Sequence, residues 1–159
     1  MCGINGIINR DLSRDQILSQ LKLMNQLIQH RGPDAQDLYY DSGVGLGHVR
    51  LSILDLSDIA NQPMVSFSGR YVIVFNGEIY NFQELSQLLT TKFNVVFKTS
   101  SDTEVLVNLI DCLGMTEALN MLEGMFAFAV FDKKNKKFFL ARDRFGEKPL
   151  YLFQNNKSI

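Results

Sequence analysis

Cysteine and histidine are both scarce in this sequence of 159 residues, with two of each. Two cysteines are no disulfide framework, and a reducing cytoplasm is the expected location. None of these four residues is paired at ligand spacing, which argues against a zinc site. A surplus of charge of one sign is missing as well. The 16 basic and 17 acidic residues are interspersed and leave a net charge of −1, so nothing resembles a nucleic-acid or membrane-surface footprint. The longest apolar stretches, such as Tyr71–Phe75 and Met125–Phe131, are too short to span a bilayer. No basic segment followed by an apolar run and a cleavage site opens the chain, so no secretory signal is read. Internal repeats, low-complexity tracts and domain linkers are absent too. What is present is an apolar fraction of 46%, enough for one folded domain with a core.

The periodicities alternate between strand and helix. Gly3–Asn9 reads as a strand, and Ser13 caps a helix of about 16 residues with Ile17, Leu21, Met24, Leu27 and Ile28 on one face. His30-Arg31-Gly32-Pro33-Asp34 ends that helix. A strand through Val44–Arg50 precedes a loop over Ser57–Pro63. Tyr71–Phe75 is a fully apolar strand, the signature of a sheet covered on both faces, and Asn76-Gly77-Glu78 interrupts it. Phe82–Thr90 reads as a short helix, and a capping box at Ser101–Glu104 opens a second over Thr103–Leu113. A further helical turn or two through Thr116–Leu122 leads to the strand Met125–Phe131, a turn at Asp132–Lys137 and the return strand Phe138–Arg142. Tyr151–Phe153 is expected to begin another strand. Asn155-Asn156-Lys157 reads as a hairpin turn with only Ser158 and Ile159 after it, so the sequence is expected to stop inside a domain.

Cys2 carries the most chemistry. Removal of Met1 would leave a free α-amine on the residue that bears the thiol, with ordinary pKa values near ~7.8 and ~8.5. Such an amine can take the thiol proton directly or through one water, so no histidine is needed. Gly3 and Gly6 let the backbone pass close to a substrate. The competing reading is that Cys2 simply packs in an edge strand. A thiol nucleophile also needs an oxyanion hole and groups that hold the substrate in line. Asn76-Gly77 could supply a side-chain amide and a backbone N–H to one oxygen, or could be an ordinary Asn-Gly turn. Arg50 ends an otherwise uncharged strand and could hold a carboxylate in a bidentate pair. Asp102 could cap a helix, and Glu78 could be a solvated turn charge. Together, one cation and two carboxylates near a nucleophile are what an α-amino acid substrate demands. Cys112, on one face with Val105 and Leu109, reads as core, and His30 and His48 as hydrogen-bonded structural residues.

Cys2-Gly3-Ile4 with His30-Arg31-Gly32-Pro33-Asp34 resembles the glutaminase domain of class II glutamine amidotransferases, within the N-terminal-nucleophile hydrolases. Five further motifs follow in that family's order: Arg50-Leu51-Ser52-Ile53-Leu54-Asp55, Asn76-Gly77-Glu78-Ile79-Tyr80-Asn81, Ser101-Asp102-Thr103-Glu104, Glu123-Gly124-Met125-Phe126-Ala127-Phe128 and Ala141-Arg142-Asp143-Arg144-Phe145-Gly146. The set is similar to glutamine-dependent asparagine synthetases and covers essentially the whole chain. The resemblance implies that Cys2 attacks the side-chain amide of glutamine, releasing ammonia and leaving a γ-glutamyl thioester for water to hydrolyse. By the same resemblance Asn76 and Gly77 form the oxyanion hole, and Arg50 binds the glutamine carboxylate. Glu78 and Asp102 hold its ammonium, and backbone groups around Ile53 complete the pocket. Arg31, Gly32, Pro33 and Asp34 form a supporting loop, and no metal is expected. The implied fold is α+β, a four-layer α-β-β-α sandwich with two largely antiparallel sheets, Cys2 at the start of a central strand and the C-terminal end truncated.

The synthetases of that family carry a C-terminal ATP-dependent domain marked by a Ser-Gly-Gly-x-Asp-Ser loop, and no such loop occurs here. Residues 2–159 are therefore expected to be an incomplete glutaminase domain that needs no cofactor. ATP and Mg2+ belong to the synthetase domain. Expected partners are L-glutamine, that synthetase domain or a separate acceptor polypeptide, and a second copy in a homodimer of the full-length protein; no nucleic acid and no membrane is expected. Three alternatives stay open at this point. The ammonia could serve a sugar or another carboxylate; the domain could bind glutamine without catalysis; or Cys2 could work with His48 as a conventional cysteine hydrolase.

Overall fold

The computed structural model describes residues 2–156 and 158–159. Strand β1 (Gly3–Ile8) leads to helix α1 (Arg14–Ile28), which opens on a full capping box: the Ser13 hydroxyl accepts from the Gln16 N–H, and the Gln16 side chain accepts from the Ser13 N–H. After a 3₁₀ turn over Gln29–Arg31, β2 (Ala35–Asp41) and β3 (Val44–Arg50) form a hairpin. The first sheet has the order β1-β3-β2 and is antiparallel throughout. Its core-facing strand β3 places Val44, Leu46, His48 and Arg50 on one face, and Gly45, Gly47 and Val49 on the other. Those two glycines make room for α1. A Cβ on Gly45 would meet Ile17 Cγ2 at 2.5 Å and Leu21 Cδ1 at 2.7 Å, and one on Gly47 would meet Asn25 Oδ1 at 2.8 Å.

The second sheet is built from β4 (Met64–Val65), β5 (Tyr71–Ile79), β6 (Gly124–Asp132) and β7 (Lys137–Arg142), in that order and again antiparallel. It is buried on both faces, as the apolar run in β5 predicts. Val72 and Val74 of β5 meet Val44 and Leu46 between the sheets, whereas Tyr71, Ile73 and Phe75 pack under the helices. Those helices are α2 (Phe82–Phe93), α3 (Asp102–Leu113) and α4 (Met115–Met121). The layers are thus α1, first sheet, second sheet, and α2–α4, the expected four-layer α-β-β-α sandwich. Phe128 and Phe131 of β6 are among the largest fully buried side chains, each stabilising the fold by about 2–3 kcal/mol through area removed from water.

Several expectations need correction. Leu27 does not share the buried face of α1: it is 78% exposed, and the buried row is Ile17, Leu21 and Asn25, spaced four apart over the β3 glycines. β2 escapes the periodicity reading because its charged, half-exposed sequence lies on a sheet edge, and β4 is only two residues long. Asn76-Gly77-Glu78 does not interrupt β5, which runs straight through it to Ile79 in register with β6. Tyr151–Phe153 forms no strand. Cys2 precedes an edge strand of the first sheet rather than a central one, although Ile8 exchanges two backbone hydrogen bonds with Ile159 on its open side. Of the expected turn at Asn155–Lys157, Lys157 lies outside the described residues, and the Asn155 N–H donates to the Ser158 carbonyl at 3.0 Å.

Candidate active site

Side-chain alternation brings three residues to one end of the space between the sheets. Cys2 follows the parity of Ile4 and Ile8, and Arg50 that of Val44 and Leu46. Asn76 follows Val72 and Val74, all of which pack in that space. The three line one cavity of about 90 Å³ together with Ile53, Gly77, Glu78 and Asp102. Every residue the sequence reading assigns to nucleophile, oxyanion hole or substrate therefore borders one cavity.

The cavity's backbone donor follows from the strand register. Phe126 of β6 uses its C=O and N–H on Asp143, on the β7 side. Its partner Gly77 therefore sits in a non-hydrogen-bonded pair, with its N–H directed away from β6. Phe75 and Ile79 share that orientation, beyond the point where β4 pairs with β5. The Phe75 N–H is taken by Gln62 Oε1 at 2.6 Å and the Ile79 N–H by Asp102 Oδ2 at 3.0 Å. Between them the Gly77 N–H is open to the cavity, beside an Asn76 side chain that has no hydrogen-bond partner among the described residues. No side chain fits at Gly77: a Cβ would lie 2.7 Å from Phe126 Cα and still closer to the Met125 carbonyl oxygen.

Charged side chains of both signs border the cavity. Arg50 is 7% exposed and has no carboxylate within ion-pair distance among the described residues. Its Nη1 donates to the Ser57 carbonyl (2.8 Å) and Asn61 Oδ1 (2.7 Å), and its Nη2 to the Asp55 carbonyl, which fixes the guanidinium but does not neutralise it. Asp102 is 5% exposed and likewise has no cationic partner among the described residues. Burial raises its carboxyl to about 6, aided by the nearby Glu78 charge and opposed by the Ile79 N–H. Arg50, Asp102 and Glu78, none of them ion-paired among the described residues, suit a zwitterion with a carboxylate and an ammonium. The Cys2 thiol is held by Leu51, whose N–H lies 3.4 Å from Sγ; burial pushes it above its ordinary value, and that N–H and the Arg50 charge oppose the shift.

The loop of Arg31, Gly32, Pro33 and Asp34 does not line the cavity but braces it from behind. Arg31 Nε donates to the Cys2 carbonyl at 3.1 Å. Gly32 lies against β3, where a Cβ would sit 2.6 Å from the Arg50 carbonyl carbon. The Asp34 N–H donates to the Arg50 carbonyl and its Oδ2 accepts from the Ser52 N–H. Pro33 is exposed. His48 does not border the cavity: it is fully buried, its Nε2 meets the Phe75 carbonyl at 3.3 Å, and burial lowers it to about 4. That placement gives Cys2 no imidazole partner. Gln62, Thr103 and Lys148 line the cavity and escaped the sequence reading. A lone glutamine or lysine in a loop gives no periodic signal. Lys148 is delivered by Asp143, whose carboxylate collects the N–H groups of Phe126, Phe145, Glu147 and Lys148. Glu104 does the same for Asp102, gathering the N–H groups of Lys98 and Thr99 just before α3.

No group of three or more metal-ligating side chains occurs among the described residues, and no described helix is long and apolar enough to cross a membrane. A family model described as a glutamine amidotransferase domain matches residues 1–159. The chain is 45% identical to the glutamine-hydrolyzing asparagine synthetase 2 of Bacillus subtilis, over 95% of this chain and 20% of that protein. It is 42% identical to asparagine synthetase 1 of the same organism, also named glutamine-hydrolyzing, over 100% of this chain and 25% of that one. The chain thus spans a fifth to a quarter of the length of these two relatives. Among solved structures, glutamine phosphoribosylpyrophosphate amidotransferase of Bacillus subtilis superposes with a TM-score of 0.76 at 23% identity, covering 99% of this chain and 40% of that one, a likeness of fold.

Proposed function

The chain belongs to the glutamine amidotransferase domain family, and from that premise we propose that it hydrolyses the side-chain amide of glutamine through a Cys2 thioester. The observation that carries this reading is the one cavity bordered by a thiol, a buried guanidinium with no ion-pair partner among the described residues, two carboxylates and the open Gly77 N–H. Arg50 binds the α-carboxylate of glutamine, and Asp102 with Glu78 its ammonium. Backbone groups around Ile53 close the pocket, and the loop of Arg31, Gly32, Pro33 and Asp34 holds the Cys2 and Arg50 backbones in place.

The α-amine of Cys2 takes the thiol proton, and the thiolate adds to the amide carbon. The Gly77 N–H and the Asn76 side-chain amide stabilise the oxyanion, each such donor being worth about 3 kcal/mol in the transition state. Collapse breaks the C–N bond, and the ammonium of Cys2 returns its proton to the leaving nitrogen, which departs as ammonia. The same amine then takes a proton from water as its oxygen attacks the thioester; collapse breaks the C–S bond, and that proton passes to the departing thiolate as glutamate leaves. No metal or cofactor enters these steps.

In this reading residues 2–159 are the glutaminase part of a cytoplasmic asparagine synthetase. An ATP- and Mg2+-dependent domain outside these residues accepts the ammonia and converts L-aspartate to L-asparagine, and the full-length protein pairs as a homodimer. The names of the two Bacillus relatives support aspartate as the acceptor. The test is acid quenching of the protein during turnover of glutamine without ATP. A glutamyl group on the Cys2 peptide, with glutamate and ammonia released one to one, is expected. Turnover that persists in Cys2→Ala would refute the thioester.

A further inference from the structure

We propose that His48 and Gln62 are positioning residues that set the oxyanion donors relative to Cys2 and Arg50; the inference rests on the glutaminase reading above. The edge of β5 that faces the cavity has a strand partner only as far as Ile73, which pairs with Met64 of β4. The next residue with that orientation, Phe75, has both backbone groups held by side chains instead. Gln62 Oε1 accepts its N–H at 2.6 Å, and His48 Nε2 donates to its C=O at 3.3 Å. Those two side chains continue the missing strand for one residue and stop at Gly77, where the substrate's oxygen belongs. The Phe75 carbonyl lies in the same peptide plane as the Asn76 N–H, so displacing it turns the segment that carries both oxyanion donors.

The two tethers lead to the other parts of the site. His48 stands on β3 two residues before Arg50, and β3 holds β1 through the Gly3 and Val49 pair next to Cys2. Its hydrogen bond therefore joins the sheet of the nucleophile to the sheet of the oxyanion hole. The other end of Gln62 donates to Thr103 Oγ1 at 3.2 Å, in the first turn of α3 beside Asp102. Both side chains are buried, and His48 Nδ1 has no partner among the described residues. A leucine would fill such a place without an orphaned acceptor. What leucine lacks is the donor to Phe75.

The test uses the protein with Cys2 at its N-terminus and four variants: His48→Leu, His48→Gln, Gln62→Leu and Gln62→Glu. Glutamine turnover gives kcat and KM. Calorimetry in the Cys2→Ala background gives the glutamine Kd, and thermal unfolding reports the fold. A misplacement near the reacting atoms predicts a kcat lower by roughly 10- to 100-fold in His48→Leu and Gln62→Leu, with KM and Kd within about threefold. His48→Gln keeps an N–H in reach of the Phe75 carbonyl and Gln62→Glu keeps the acceptor for its N–H, so each recovers most of kcat. Wild-type kcat in both leucine variants would overturn the proposal. So would losses of kcat matched by equal losses of binding and unrescued by the conservative variants. If His48→Leu does not fold, Gln62→Leu and its rescue decide on the same terms. An unsubstituted protein that releases no glutamate would overturn the glutaminase reading itself, and this proposal with it.

Discussion

Replacing Gly77 by alanine perturbs the site through backbone atoms alone. The added Cβ would lie 2.7 Å from Phe126 Cα and 2.9 Å from Phe126 Cβ, and nearest of all to the Met125 carbonyl oxygen. These neighbours belong to the central pair of the second sheet and cannot rotate away. Restoring ordinary contact therefore requires β5 to move from β6 by about 1 Å, in a core packed like a crystal. Such overpacking typically costs about 1–3 kcal/mol, or a thermal midpoint lower by roughly 3–10 °C in a domain of this size. The same movement carries the Gly77 N–H off its line to the oxyanion, and a misplacement of that size can cost roughly 10²-fold in rate. Glutamate release from glutamine and thermal unfolding measured on the same preparation read both effects. A variant with an unchanged midpoint and kcat within threefold of the parent would refute the packing argument and the oxyanion assignment together.

Arg50→Met should weaken glutamine binding by roughly 10²-fold, because it leaves a substrate carboxylate buried without its cation; calorimetry showing unchanged affinity would remove Arg50 from the carboxylate site. Asp102 must be ionised to meet an ammonium, and its carboxyl stands at about 6. Glutamine affinity should therefore fall as pH drops below about 6, by up to tenfold per unit, and Asp102→Asn should abolish that dependence. His48 and Asp102 pull stability in opposite directions as pH falls. The His48 ring stands at about 4, below its unfolded value near 6.5, so between those values the unfolded chain binds the extra proton and stability falls on acidification. Asp102 stands above its unfolded value near 3.9, so the native state binds the extra proton between about 4 and 6, and stability rises on acidification. Between about pH 5 and 6 these two slopes offset in the parent. Below about 5, Asp41, Asp55, Asp132 and Asp143, all held below the ordinary carboxylate range by their hydrogen bonds, add to the acid loss. Between about pH 5 and 6, Asp102→Asn should therefore produce a loss on acidification and His48→Gln a gain; identical profiles for all three proteins in urea titrations over that range would contradict this.

What could be read in the sequence was whatever one local period or one capping residue determines. The alternation in Gly3–Asn9, the two-faced apolar run of β5, and the Ser13 and Ser101 caps lead directly to the observed elements. β2 was illegible because an edge strand need not be apolar, and Ala35–Asp41 carries Asp37, Tyr39, Tyr40 and Asp41. Asn76-Gly77 misled as a local signal. The dipeptide suggests a turn, but here the glycine is demanded by the approach of Met125 and Phe126 from the next strand, a tertiary fact. The site was legible as a set of residue types in family order, and Cys2, Arg50, Ile53, Asn76, Gly77, Glu78 and Asp102 do border one cavity. The residues that tension it were not. Gln62 and His48 act through the backbone groups of Phe75, and no pattern of spacing marks a side chain that substitutes for a missing strand.

The proposed hydrolysis requires Cys2 to act with its own α-amine. Glutamate release from glutamine without ATP should be compared in three proteins: one beginning at Cys2, its Cys2→Ala variant, and one with an uncleavable extension before Cys2. Activity confined to the first is the predicted result. Equal activity in the extended protein would contradict it, because that protein has no free α-amine on Cys2.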